Sequence, residues 1–161
     1  MTSISRIARQ TGVIVLALGF ATVCFADPDP APAWDYLKFD LPSGAPEKVW
    51  RDALAAKLGG RTEVKIDGGR IDMMTDTEVF ELDWPHKWHE GFGQAMHYAD
   101  ATGKKGVLAL ISYSQGPENL QEKSRQRFDM VKAECDKRGI RLLVLFPTRP
   151  EEPRKQEATK P

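Results

Sequence analysis

Two apolar runs near the end of the chain constrain its fold most. Residues 106–112 read GVLALIS and residues 140–146 read IRLLVLF, and neither run alternates polar with apolar residues. Such runs are typical of strands that are covered on both faces. A long charged helix predicted for residues 118–138 separates them, and Gly139 stands where that helix should end. A strand, a crossover helix and a second strand predict parallel neighbours in one buried sheet.

The segment upstream predicts a helix, a three-stranded meander and a second helix. Ser43-Gly44-Ala45-Pro46-Glu47 suits a helix start and Gly59-Gly60 suits its end. The buried stripe predicted for this helix contains Val49, Trp50, Ala53, Leu54 and Leu58. The strands are predicted at 61–66, 70–74 and 78–84, and the second helix at 86–101. The element order is therefore α-β-β-β-α-β-α-β, which predicts an α/β fold: a three-layer sandwich around one mixed sheet.

The first 26 residues have the layout of a secretory signal. They contain Arg6 and Arg9 but no acid, then a weakly polar run to Ala26. A retained membrane anchor is disfavoured because the run is shorter than the ~20 residues of a spanning helix. Lipid attachment at Cys24 is disfavoured because Val23 stands where a small residue is expected. We expect an exported protein, periplasmic or secreted, without stable membrane association after cleavage.

Both ends of the processed chain are rich in proline. Residues 27–33 and 147–161 predict a linker and a disordered, charged tail, which leaves 34–146 as the folded domain. The full chain has 23 basic and 23 acidic residues. Removal of the leader takes away two arginines and gives a net charge of −2. A single cysteine, Cys135, remains, so neither an intramolecular disulfide nor a cysteine zinc site is expected.

Three carboxylates are predicted to share one face of the meander. A turn centred on Asp76 and Thr77 places Asp72 opposite Glu81, and Asp83 lies on the same face as Glu81. Carboxylates directly opposite each other repel, so a cation is expected between them. Oxygen ligands suit Mg²⁺ or Mn²⁺. The alternative is that all three acids are solvated on an exposed face. The opposite face should supply core residues: Ile71, Met73, Phe80 and Leu82.

The helix after the meander adds two polar candidates. Lys87 and Gln94 share a helical face with Gly91 and Tyr98, and Lys87 follows Asp83 by four residues. Each of the two could instead be an ordinary surface residue. The remaining apolar positions predict the core face of the helix: Trp88, Phe92, Ala95, Met96 and Ala99.

A zinc site on this helix is a weaker alternative. His86, Glu90 and His97 lie on one helical face, but the string HEGFG at 89–93 lacks the second histidine of the zincin motif.

The stretch 48–70 is rich in basic residues, which could either contact the phosphate backbone of a nucleic acid or form an ordinary solvated face. That stretch carries Lys48, Arg51, Lys57, Arg61, Lys65 and Arg70 against three acids. A net charge of −2 is unusual for a protein that grips DNA, so any such contact must be local.

These residues together resemble the core of the PD-(D/E)XK nuclease superfamily, specifically its small, single-domain, restriction-endonuclease-like members. The resemblance covers residues 46–112. It is carried by Gly69-Arg70-Ile71-Asp72, Thr75-Asp76-Thr77, Glu81-Leu82-Asp83, Lys87-Trp88 and Gly93-Gln94-Ala95. It implies metal-dependent hydrolysis of phosphodiester bonds in DNA or RNA. By this resemblance Asp72 and Glu81 are metal ligands, Gln94 is the polar residue of the following helix, and Glu47 loosely matches an optional helical acid.

One position departs from the family pattern. The usual lysine two residues after the glutamate is Asp83 here. Either Lys87 replaces the missing lysine from the helix, or Asp83 binds a second metal ion. If neither holds, the chain is an exported, non-catalytic binding module on a degenerate nuclease-like fold. The oligomeric state is left open.

Overall fold

The structure is a computed structural model that describes residues 31–150. The predicted leader and its cleavage site, residues 27–30 of the predicted linker and residues 151–161 of the predicted tail lie outside the described residues. None of the helices within 31–150 is long and apolar enough to cross a membrane.

The described chain forms one six-stranded mixed sheet and three α-helices. In chain order the elements are β1 Asp35–Pro42, α1 Glu47–Leu58, β2 Arg61–Ile66, β3 Gly69–Met74, β4 Glu78–Asp83, α2 Trp88–Thr102, β5 Lys105–Ile111, α3 Glu122–Lys137 and β6 Arg141–Arg149. The strand order across the sheet is β1-β6-β5-β4-β3-β2. β4, β5, β6 and β1 run parallel, and β2, β3 and β4 form the antiparallel meander.

The α/β fold is confirmed, and the two apolar runs pair as parallel strands. Leu108 lies beside Leu142 in the ladder between β5 and β6. One face of the sheet packs against α1, where Trp50 and Leu54 belong to the same cluster as Phe80. The other face packs against α2 and α3 through Ala95, Phe128 and Val131 among others. The sheet is therefore the middle of three layers, which is why the strands carry apolar residues on both faces.

The first strand, β1, is absent from the predicted order. It pairs in parallel with β6 at one edge of the sheet. Its sequence alternates, with Leu37, Phe39 and Leu41 packed on the α1 side and Lys38 and Asp40 exposed. This alternation is the ordinary signal of a strand with one covered face, so the strand was predictable from the sequence.

Two helix predictions also needed correction. In α1 the buried residues are Trp50, Arg51, Leu54 and Ala55, whereas Val49 and Leu58 are exposed. Of the predicted stripe, Trp50 and Leu54 are thus confirmed as buried and Ala53 is partly buried, whereas Val49 and Leu58 are wrong. The buried face instead includes Arg51, which pairs with Glu63, and Ala55. The helix predicted for 118–138 is divided into a short 3₁₀ turn, Pro117–Asn119, and α3. Finally, β6 continues to Arg149, three residues into the predicted tail.

Candidate active site

The carboxylates lie where β3 and β4 separate. Met73 pairs with Phe80 and Met74 with Val79, which confirms the predicted register. Beyond these pairs side chains replace the backbone ladder. The Asp72 N–H donates to Glu81 Oε1 at 3.2 Å, and the Leu82 N–H donates to Asp72 Oδ2 at 3.0 Å. The two carboxylates therefore satisfy backbone donors that a regular hairpin would pair with carbonyls.

The ladder is also interrupted at Asp72 on the β2 side. Its expected partner there, Glu63, has a left-handed backbone with φ 55° and is absent from the paired positions of the described strands. The Glu63 carboxylate bonds to the buried guanidinium of Arg51 and lies 2.6 Å from Arg70 Nη1. Ile71 consequently packs with Val79 and Tyr98 and not with Met73, Phe80 and Leu82, which corrects the prediction of a single core face.

The separated strands open onto a polar cavity of about 210 Å³, which we call the acid pocket. Its lining residues are Glu47, Arg70, Asp72, Glu81, Leu82, Asp83, Lys87, Glu90 and Gln94. All five predicted site residues, Asp72, Glu81, Asp83, Lys87 and Gln94, are among them. Five acidic and two basic residues line the pocket, so it attracts cations.

Both layers of helices reach this pocket. Glu47 is the first residue of α1, on one face of the sheet, and Gln94 lies on α2, on the other face. α2 approaches β4 closely at Gly91, where an added Cβ would lie 3.1 Å from Asp83 Cβ and 2.9 Å from Leu108 Cδ1. Gly91 therefore makes room for Asp83 beneath the helix.

The polar residues from the loop and α2 lie at the mouth of the pocket. Lys87 is the exposed residue immediately before α2, and its N–H donates to the Trp84 carbonyl at 2.9 Å. Its amine makes no ion pair within the described part of the chain. Burial raises the pKa of Asp83 and of Glu47, and the charge of Lys87 offsets part of that rise. Glu90 and Gln94 follow Lys87 by about one and two helical turns, and both are exposed. The Lys87 and Gln94 side chains are free to turn towards a ligand.

Burial raises the pKa of every carboxyl group in the centre of this pocket, and the charges of neighbouring acids add to the rise at Glu47, Glu81 and Asp83. Glu81 is 4% exposed, and its pKa is raised to about 8, first by burial and then by the charge of Asp72. Burial also raises the pKa of Asp72 and of Asp83, against the lowering effect of the N–H groups that each accepts. For Glu47 burial and then the charge of Asp72 raise the pKa. The negative charge of these carboxylates is thus poorly compensated by the protein alone.

The donor set suits a hard divalent cation in its chemistry. Asp72, Glu81 and Asp83 each use one oxygen to accept a backbone N–H, which fixes the carboxylate and leaves a second oxygen as a ligand. A divalent charge would also favour the ionised form of these three carboxyl groups and so oppose the effect of burial, which raises their pKa values. However, no three His, Cys, Asp or Glu side chains between 31 and 150 stand close enough to form a ready cage. The carboxylates would have to close around an ion.

Four lining residues were not among the five predicted site residues: Glu47, which the resemblance matched only loosely, Leu82, which was predicted as a core residue, Arg70 and Glu90. Arg70 lies two positions before Asp72 on β3, and Glu90 lies on the helical turn between Lys87 and Gln94. The spacing of 2 on a strand and of 3 or 4 on a helix could have found both. The proposed basic face is reduced, because Arg51 is buried and Arg51 and Arg70 both pair with Glu63.

Comparisons with known proteins leave the family open. No family model matches the chain, and no solved structure matches it. A curated protein of Acanthamoeba polyphaga mimivirus, the putative KilA-N domain-containing protein L33, is 32% identical over 102 residues. The match covers 61% of this chain and 36% of that protein. The chain therefore spans about a third of the length of the relative, which is too little to assign a family.

Proposed function

We propose that this protein hydrolyses phosphodiester bonds in DNA or RNA with a divalent cation, Mg²⁺ or Mn²⁺, held in the acid pocket, and that it does so after export. One observation carries the proposal. The five residues selected through the nuclease resemblance come from two strands, a loop and a helix, yet they line the same small cavity. Solvated surface acids would have no reason to be buried beside one another with raised pKa values.

Each residue has a role that follows from its position. Asp72, Glu81 and Asp83 would hold the cation, since their carboxylates converge on the pocket from the separated strands. When bound, such an ion lowers the pKa of a coordinated water and stabilises charge on the leaving oxygen. Lys87 contacts a phosphate oxygen or orients the attacking water, in place of the lysine that the family carries at the position of Asp83. The Gln94 amide donates a hydrogen bond to the same phosphate group.

Cation binding in the acid pocket depends on the protonation state of Glu81. With a pKa of about 8, its carboxyl group holds a proton at neutral pH in the metal-free protein. A carboxylate must lose this proton before it can act as a ligand. Below saturating concentrations of the cation, cation binding and with it activity should therefore increase with pH up to about 8.

A double substitution tests the proposal. The purified protein is incubated with single-stranded and double-stranded DNA and RNA in Mg²⁺, Mn²⁺ or EDTA, and cleavage products are measured. Removing an outer partner of a metal site already costs about 10–100-fold, so Asp72→Ala/Glu81→Ala should lose more than about 100-fold. Asp100→Ala/Glu122→Ala is the matched control, because both of these acids are exposed and neither lines the pocket.

Three outcomes would contradict the proposal. Cleavage that persists in EDTA would remove the metal from the mechanism. Cleavage that persists in the double variant would remove the acid pocket. Failure of the folded wild-type protein to cleave any of the four substrates would favour the non-catalytic binding module.

A further inference from the structure

A second cavity lies beside the acid pocket and has the opposite electrostatic character. It measures about 150 Å³ and is formed by the loops that follow β4 and β5 and by α3. We call it the basic pocket, and its lining residues are Pro85, His86, Ser112, Tyr113, Ser114, Leu120, Ser124, Arg127 and Phe128. It contains no Asp or Glu, whereas five acids line its neighbour.

The two pockets share a wall. Along the turn that leaves β4, Asp83 lines the acid pocket, Pro85 and His86 line the basic pocket, and Lys87 lines the acid pocket again. His86 also lies close enough to Asp83 to oppose slightly the rise in the pKa of Asp83 that burial causes. A ligand group in the basic pocket would therefore lie next to the segment that contributes Asp83 to the proposed cation site. Crevices at the carboxyl ends of parallel strands are the usual ligand sites of α/β sheets.

Hydrogen-bond donors dominate the basic pocket. Ser112 is 2% exposed, and its Oγ accepts the Ser114 N–H at 3.1 Å, so its hydroxyl hydrogen is left to donate to another group. Ser124 contributes a second hydroxyl group. Arg127 is exposed, and within the described residues its guanidinium makes no ion pair. Donors and a cation in a pocket whose lining contains no carboxylate suit an anion such as a phosphate group.

A flat aromatic surface lies at the mouth of this pocket. The rings of Trp84 and Tyr113 stack with their centroids 4.8 Å apart and an interplanar angle of 17°. Tyr113 is 59% exposed and lines the pocket. An exposed ring held by a second ring is a stacking surface for an unpaired base.

We propose that the basic pocket binds one unpaired nucleotide of the substrate strand, with its phosphate group held by Arg127, His86 and the serine hydroxyls and its base stacked on Tyr113. The cavity has room for one phosphate or one ring but not for a base pair. This inference rests on the proposed function and narrows it to single-stranded nucleic acid or single-stranded ends.

Binding measured without hydrolysis tests this inference. Fluorescence anisotropy in EDTA compares a short single-stranded oligonucleotide with its duplex and with inorganic phosphate as a competitor. We expect the single strand to bind at least about tenfold more tightly than the duplex. Tyr113→Ala should weaken single-strand binding about tenfold, in line with the usual worth of one stacked base. Arg127→Gln should weaken it several-fold and reduce its salt dependence by about one phosphate contact.

The controls separate this inference from the proposed function. Arg138→Gln removes an exposed arginine at the far end of α3 and should leave binding unchanged. Arg127→Lys should recover part of the affinity, because it keeps the charge. Asp72→Asn/Glu81→Gln should abolish cleavage but keep single-strand binding.

Each remaining outcome overturns one of the two claims. Normal binding by both Tyr113→Ala and Arg127→Gln, together with metal-dependent cleavage, would overturn the basic pocket and leave the proposed function standing. If inorganic phosphate abolishes oligonucleotide binding and Tyr113→Ala leaves it unchanged, the basic pocket is a simple anion site and does not bind a nucleotide. Full cleavage by Asp72→Asn/Glu81→Gln would overturn the proposed function whatever the binding result.

Discussion

The two sides of strand β4 are built differently. Towards β5 the strand pairs at six consecutive positions, from Glu78 with Lys105 to Asp83 with Leu110. Towards β3 it pairs at two positions, and then the carboxylates of Asp72 and Glu81 take over the backbone donors. One side is a regular parallel ladder within the apolar core, and the other side is an opening lined by charge.

This difference indicates how a small domain holds a costly polar cluster. The parallel side supplies fully buried residues such as Leu108 and Val107 on both faces of the sheet. Burial of such residues contributes about 1.5–3 kcal/mol each. The open side works against folding, because buried carboxylates with raised pKa values are destabilising when ionised. The two sides should therefore respond oppositely to substitution.

The largest effect is expected on the parallel side. Leu108 on β5 is fully buried, so Leu108→Ala should lower the free energy of unfolding by about 2–5 kcal/mol through lost burial and a cavity. Urea denaturation measures this loss. Leu58→Ala is the matched control because Leu58 is 38% exposed, and it should cost less than about 1 kcal/mol. Equal losses in the two variants would show that the parallel side is not the main source of stability.

Replacing a carboxylate on the open side with a neutral isostere should raise the free energy of unfolding instead of lowering it. In the folded protein the pKa of Glu81 is about 8, against an ordinary value of 4.5. The folded state therefore binds the proton more tightly, and stability falls as the pH rises from about 4.5 to 8. Glu81→Gln cannot ionise and still offers Oε1 to the Asp72 N–H. In EDTA at pH 8 it should be more stable than wild type by on the order of 1–3 kcal/mol, although it should lose cleavage activity.

The pH dependence separates this effect from a general benefit of glutamine. The gain should shrink towards zero near pH 4.5 and level off above pH 8. Glu78→Gln on the same strand provides the control, because Glu78 pairs with Arg141 at 3.0 Å. It should lose up to about 1 kcal/mol instead of gaining stability. A loss of stability in Glu81→Gln at pH 8 would show that the ionised carboxylate is well compensated and that the open side does not destabilise the fold.

The regular side was the predictable one. Uninterrupted apolar runs such as residues 106–112 predict strands covered on both faces, and the crossover helix after this run predicts that the next strand is parallel to it. The register of β3 and β4 followed from the turn at 75–77, so the facing of Asp72 and Glu81 was predictable too. The separation of the strands was not, and neither were the features beside it, which are the left-handed backbone of Glu63 and the ion pair of Glu63 with the buried Arg51. Those features come from contacts between α1, β2 and β3, which no local pattern encodes.

The smallest effect concerns Gly91 of α2, which approaches both Leu108 on the parallel side and Asp83 on the open side. An added Cβ at Gly91 would lie 2.9 Å from Leu108 Cδ1 and 3.1 Å from Asp83 Cβ, whereas at Gly93 nothing lies within 4 Å. Alanine is favoured over glycine in a helix by about 1 kcal/mol, so Gly93→Ala should raise the melting temperature by a few degrees. Gly91→Ala gains the same helix propensity but must displace Leu108 and Asp83, so thermal melts should show a net loss of about 1 kcal/mol. Its cleavage activity should fall as well, since Asp83 is moved, while Gly93→Ala keeps full activity. If both variants gain stability equally, α2 does not press on β4 at this point, and the position of Asp83 is set by β4 alone.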